Sequence, residues 1–94
     1  MSQWQFADPP NVATITVKQI VEDGQPILLV CHDEDDGCWQ FLTGSDFDVK
    51  DGLVILLKNM IHRDPSLNDL FDLPLGWKAW RSSRNDPWQR APHE

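Results

Sequence analysis

The sequence predicts a single α+β domain, an antiparallel sheet of about four strands built on a central β-hairpin with two or three short helices. Three observations point there. The stretch Pro26–Gly44 sets an apolar run, Ile27–Cys31, and an aromatic one, Trp39–Leu42, on either side of an acidic connection ending in Asp36-Gly37, a hairpin signal. The other apolar runs are short and are closed by Asp23-Gly24, Asp64-Pro65 and Pro74-Leu75-Gly76. The chain has 94 residues and no composition shift that would mark a linker, so residues 1–90 read as one domain and residues 91–94 as a disordered tail.

In chain order, Trp4 and Phe6 alternate like inward residues of an arm, and Pro9-Pro10 excludes a helix after them. Val12–Ile15 is β-branched and reads as a strand. Thr16 then caps a short helix over 17–22, with Val17, Ile20 and Val21 on one face. In the hairpin, taking Asp36-Gly37 as the loop sets Asp33 opposite Gln40, His32 opposite Phe41 and Cys31 opposite Leu42. Leu28, Val30, His32, Trp39 and Phe41 then share one face, and Ile27, Leu29, Cys31 and Leu42 the other. Both faces are apolar, which predicts a central strand pair covered on two sides.

Residues 44–52 form a polar loop whose Phe47 tucks toward the core. A brief strand over 54–56 passes into a helical turn over 58–62. Ser66 caps a second short helix over 67–71, with Asp69 at its third position. Trp77–Arg81 alternates as the last strand, and Trp88 anchors the tail.

Charge is uneven. Residues 77–94 hold four basic and two acidic side chains, and residues 1–76 hold four basic and thirteen acidic, for a net −7. An acidic body argues against double-stranded nucleic acid as a partner and suits a basic protein. No apolar run approaches a membrane span, and the N-terminus lacks a basic region followed by an apolar one. The expected compartment is the cytoplasm, with Cys31 and Cys38 reduced and unpaired.

Candidate chemistry is sparse, and the chain reads as a non-enzymatic protein with no cofactor and no metal. Placing Gly37 at the sixth position of a calcium loop leaves His32 at the first, where an oxygen ligand is needed, and Thr43 at the twelfth, where a bidentate glutamate is needed, so this is no EF-hand. A looser divalent site on Asp33, Asp35 and Asp36, serving a hydrolase, is the remote alternative. Cys31 and His32 are neighbours on a strand and point to opposite faces, which precludes a Cys–His pair. The predicted partner-binding surface comprises Asp33, Glu34, Asp35, Asp36, Asp46 and Asp48, with Trp39 and Phe47 as aromatic anchors. The alternative ligand face is Trp77, Trp80, Arg81 and Arg84, where rings interleave with cations as in small-molecule or single-stranded nucleic-acid binders.

The run HDEDDGCWQF, followed by DPSLNDLFDLPLGWKAWR and then PW, resembles a family of small bacterial proteins of unknown function. Some members are grouped with immunity proteins of polymorphic toxin systems. The resemblance spans about residues 9–90 and implies a small antiparallel α+β domain in the cytoplasm. It carries over no catalytic residue. An immunity-like role would have the acidic hairpin side cover a basic toxin.

Overall fold

The computed structural model describes residues 4–93, which form one small α+β domain. Six strands, β1 (Ala13–Val17), β2 (Leu29–His32), β3 (Trp39–Leu42), β4 (Gly52–Leu56), β5 (Trp77–Trp80) and β6 (Gln89–Pro92), make a single sheet in the order β4-β1-β3-β2-β5-β6. Two short helices, α1 (Lys18–Val21) and α2 (Leu57–Arg63), and two 3-10 segments, Val49–Asp51 and Pro65–Leu70, complete it. The sheet is mixed rather than four-stranded and antiparallel: β1 and β3 run parallel with Ile15 opposite Gln40, and every other pairing is antiparallel. Parallel neighbours need a crossover. Here it is α1 together with β2, so β3 lies between β1 and its own hairpin partner.

The hairpin holds the centre of the sheet as expected, but its register is displaced. His32 faces Trp39, Cys31 faces Gln40 and Val30 faces Phe41. The displacement is two residues, an even number, so every side chain keeps its predicted face. Val30, Trp39 and Phe41 lie on the core side with Thr14, Thr16 and Ala79. Against them pack Leu57, Met60 and Ile61 of α2, Leu67 and Leu70 of the second 3-10 segment, and Phe6 of the N-terminal arm. Thr14 and Thr16 are fully buried, and their hydroxyls donate to the Ile55 and Phe41 carbonyls at 2.8 Å each. Burying a hydroxyl without such acceptors costs about 1–3 kcal/mol. Thr16 therefore belongs to β1 and does not cap α1, whose N-cap is Val17 with no side-chain bond.

The second cap is also moved. Asp64, not Ser66, starts the 3-10 segment: its Oδ1 accepts from Ser66 N at 3.1 Å, and Pro65 stands at the first position, where its missing N–H costs nothing. The expected strand and helix of 54–62 appear as β4 running directly into α2. Trp77–Trp80 is not the last strand, since β6 pairs with it outside, Ala79 opposite Arg90. Ala91 and Pro92, assigned to a disordered tail, are part of β6; Glu94 lies outside the described residues.

The two edges of the sheet differ. β6 carries Arg90 and Pro92, which discourage further pairing. β4 is Gly-Leu-Val-Ile-Leu, with Val54 and its β1 partner Ile15 exposed. Leu57 N donates to Val12 O at 2.9 Å, so by alternation the Val54 peptide groups point away from β1, where no strand lies among the described residues.

Candidate functional site

The tip of the hairpin is a four-residue loop rather than a two-residue one. Asp33 N donates to Cys38 O at 2.9 Å and Gly37 N donates to Asp33 O at 3.0 Å. Gly37 sits at φ 72°, a conformation that side chains disfavour, and the Asp36 carboxylate accepts from Cys38 N at 2.9 Å. Asp33 is half-buried and tied to the strand by the Gln40 amide, which donates at 2.6 Å. Glu34, Asp35 and Asp36 are exposed.

The chain returns to this tip twice. Gly76 N donates to His32 O and His93 N donates to Gly76 O, both at 2.7 Å. Gly76 lies at φ 79°, with Glu34 across it, so that a Cβ there would stand 3.4 Å from Glu34 Oε2. The His32 ring stacks on Trp39 with centroids 3.9 Å apart, and its Nδ1 lies 2.8 Å from Leu73 O. A carbonyl only accepts, so Nδ1 carries the proton. Asp33–Asp36, His32, Gly76 and His93 together line an open cleft of about 290 Å³.

None of these carboxylates has a cationic partner among the described residues. The ion pairs are Lys18–Asp51, Lys50–Asp48, Arg81–Asp64 and Arg90–Asp72. The C-terminal arginines thus turn to Asp64 and Asp72, leaving the hairpin acids facing solvent.

The rest of the predicted acidic surface is not assembled with them. Asp46, Phe47 and Asp48 are exposed but leave from the Leu42 end of β3, the length of the strand (about 13 Å at ~3.3 Å per residue) away from the tip. Asp48 caps the 3-10 turn, accepting from Lys50 N at 3.3 Å. Phe47 is exposed instead of tucked into the core. Trp39 is no surface anchor: it is 2% exposed, the Phe6 ring meets it edge-on at 5.3 Å, and its Nε1 donates to Asp8 Oδ2 at 2.7 Å. The N-terminal arm has closed over it.

The alternative ligand face is also dispersed. Trp77 and Trp80, three apart on β5, point to opposite faces of the sheet. Lys78 Nζ lies 5.6 Å from the Trp80 ring centre. Arg81 is buried: Nε donates to Ile27 O at 3.1 Å, Nη1 to Ser66 Oγ at 2.9 Å and Arg84 O at 3.2 Å, and Nη2 to Asp64 Oδ2 at 2.7 Å. Its guanidinium lies 4.1 Å from the Trp88 ring centre. Every donor group is used within the fold, so Arg81 is a structural hub; only Arg84 of the four is exposed.

Cys31 and Cys38 are free thiols. Burial, then the Asp33 charge, pushes the Cys31 thiol up, and burial, then Asp36, does the same for Cys38. Both stay protonated near neutrality. Among the described residues no three His, Cys, Asp or Glu side chains are placed to hold a metal ion, and no helix is long and apolar enough to cross a membrane.

Gly76 and His93 were not foreseen in the cleft. His93 reaches it through β6, whose Gln-Arg-Ala-Pro sequence carries no strand signal. Comparison of the chain with family models, with curated proteins and with solved structures finds no match.

Proposed function

We propose that this domain is a non-enzymatic protein-binding module that receives a basic partner at the hairpin tip. The observation that carries this reading is the set of four carboxylates, Asp33–Asp36, which line one cleft with no cationic partner among the described residues. Self-repulsion among them is relieved when a lysine or arginine of a partner enters, and the field of a −7 chain speeds that encounter at low salt. The sequence resemblance to immunity-like proteins points to a basic toxin as the partner, with the cleft covering its phosphate-holding surface. Asp46 and Asp48, at the far end of β3, fall outside this contact.

The test is co-expression with the product of the neighbouring gene. The wild-type chain rescues growth and co-purifies with that product. Asp33→Lys combined with Asp35→Lys weakens both, and association slows as salt rises from 50 to about 150 mM, where the screening length shrinks to ~8 Å. Full rescue by the doubly reversed chain would remove the tip from the interface. Failure of the neighbouring product to co-purify with the wild-type chain would remove the immunity reading.

A further inference from the structure

A second cleft, of about 210 Å³, opens at the Leu29 end of β2, opposite the hairpin tip. Its lining is mixed: Ile20, Pro26, Ile27 and Pro65 supply the apolar part, and Arg63 and Arg84 are among the polar residues. One carboxylate lines it, Asp64, and that group is fully engaged, accepting from Arg81 Nη2 at 2.7 Å and from Ser66 N and Oγ at 3.1 and 2.7 Å. Arg81 does not line the cleft but ties three lining residues together, through Asp64 Oδ2 and the Ile27 and Arg84 carbonyls. Two of the four arginines in this acidic chain thus line one small depression, against a single committed acid.

Arg63 and Arg84 form no ion pair among the described residues, whereas Arg81 and Arg90 do. Arg63 Nη1 is steadied by a long contact to Ile20 O at 3.5 Å, and the Arg84 backbone is held through its carbonyl by Arg81. A guanidinium presents a planar fork of donors matched to two oxygens of a carboxylate or phosphate. Two arginines that carry such forks line this cleft, which is bounded by packed elements on three sides: α1, the end of α2 and the Pro65–Leu70 segment.

We propose that this cleft binds an oxyanion, a phosphate or carboxylate group clasped between Arg63 and Arg84, with the apolar remainder of its ligand against Ile20, Ile27 and the two prolines. The site is independent of the acidic tip and stands or falls without it.

Two probes test it in amide and arginine Nε–H NMR spectra at ionic strength held constant with sodium chloride: inorganic phosphate in one arm and butanoate in the other. Saturable shifts localised to Gly24, Gln25, Arg63 and Arg84 are expected from at least one probe, and the tighter probe identifies the oxyanion. Arg63→Gln and Arg84→Gln each weaken that binding about fivefold or more, as expected for losing a charge-assisted bond in a partly open site. Arg90→Gln, an exposed arginine outside the cleft, leaves it unchanged. Linear, unsaturated shifts with both probes overturn the proposal. So does equal weakening by Arg90→Gln, which would mark an adventitious ion only.

Discussion

Replacing Asp64 with asparagine removes one charge from the most buried ion pair among the described residues and turns the acceptor facing Arg81 into a donor. The Arg81 side chain is 1% exposed and that of Asp64 16%. The asparagine carbonyl keeps the position of Oδ1 and still accepts from Ser66 N and Oγ, so the cap of the 3-10 segment survives. What is lost is the counter-charge and the hydrogen-bond acceptor at 2.7 Å from Arg81 Nη2. Breaking a buried pair by removing one member costs about 3–5 kcal/mol, because the other charge stays desolvated. Arg81 retains the Ile27 and Arg84 carbonyls and the Ser66 hydroxyl, which places the expected loss at the low end, about 3 kcal/mol. A domain this size holds roughly 5–14 kcal/mol in all. At ~4–8 °C per kcal/mol, the melting temperature should fall by about 12–24 °C. Tryptophan fluorescence reads the transition directly, since Trp88 lies against the Arg81 guanidinium. A fall under about 4 °C would mean that the pair behaves like an exposed one, worth ~1 kcal/mol or less, and the assignment of Arg81 as a structural hub would be wrong.

Two further outcomes follow from local geometry. The Asp51 carboxyl is held below its ordinary value, chiefly by the Gln19 amide donating at 2.8 Å, then by the Asp48 N–H and by Lys18 at 3.4 Å. Its contribution to stability is therefore present above the unfolded carboxyl value of about 3.9 and is lost as pH falls through the lower folded value. Urea midpoints measured from pH 5 down to 2 should decline less steeply in Asp51→Asn than in the wild type; parallel curves would refute this. At Gly76 the Cβ of an alanine would find tolerable room, 3.4 Å from the movable end of Glu34, but the φ of 79° penalises any side chain. Gly76→Ala should cost about 1–2 kcal/mol by urea unfolding, and a change below ~0.5 kcal/mol would show that the turn relaxes freely.

The hairpin faces were legible because period-two alternation survives an even slip of register; the register itself was not, because the Asp36 carboxylate widens the loop by bonding Cys38 N. The direct passage of β4 into α2 could also be read from the sequence. The parallel β1–β3 pairing was not legible, since no local rule couples strands separated by a helix and a hairpin strand. β6 escaped notice because arginine, alanine and proline carry no strand preference; it forms where β5 offers an open edge. The Asp64 cap was within reach: Asp-Pro-Ser places a strong capping residue before proline, and the weaker reading at Ser66 overlooked it. At the candidate site, the exposed acids of the tip could be read from charge alone. The burial of Trp39 under Phe6 and Asp8 could not, because it depends on where the arm docks.

The unequal borders of the sheet limit how copies of this chain can join. Strand-on-strand growth has one admissible door, the aliphatic Val54 border, because Arg90 and Pro92 shut the other. Two molecules meeting there, edge to the same edge and antiparallel about a two-fold axis, would bury both admissible doors and present only shut ones outward. Association by this route ends at a pair, so the same asymmetry that leaves one border bare also denies the chain an open-ended fibre.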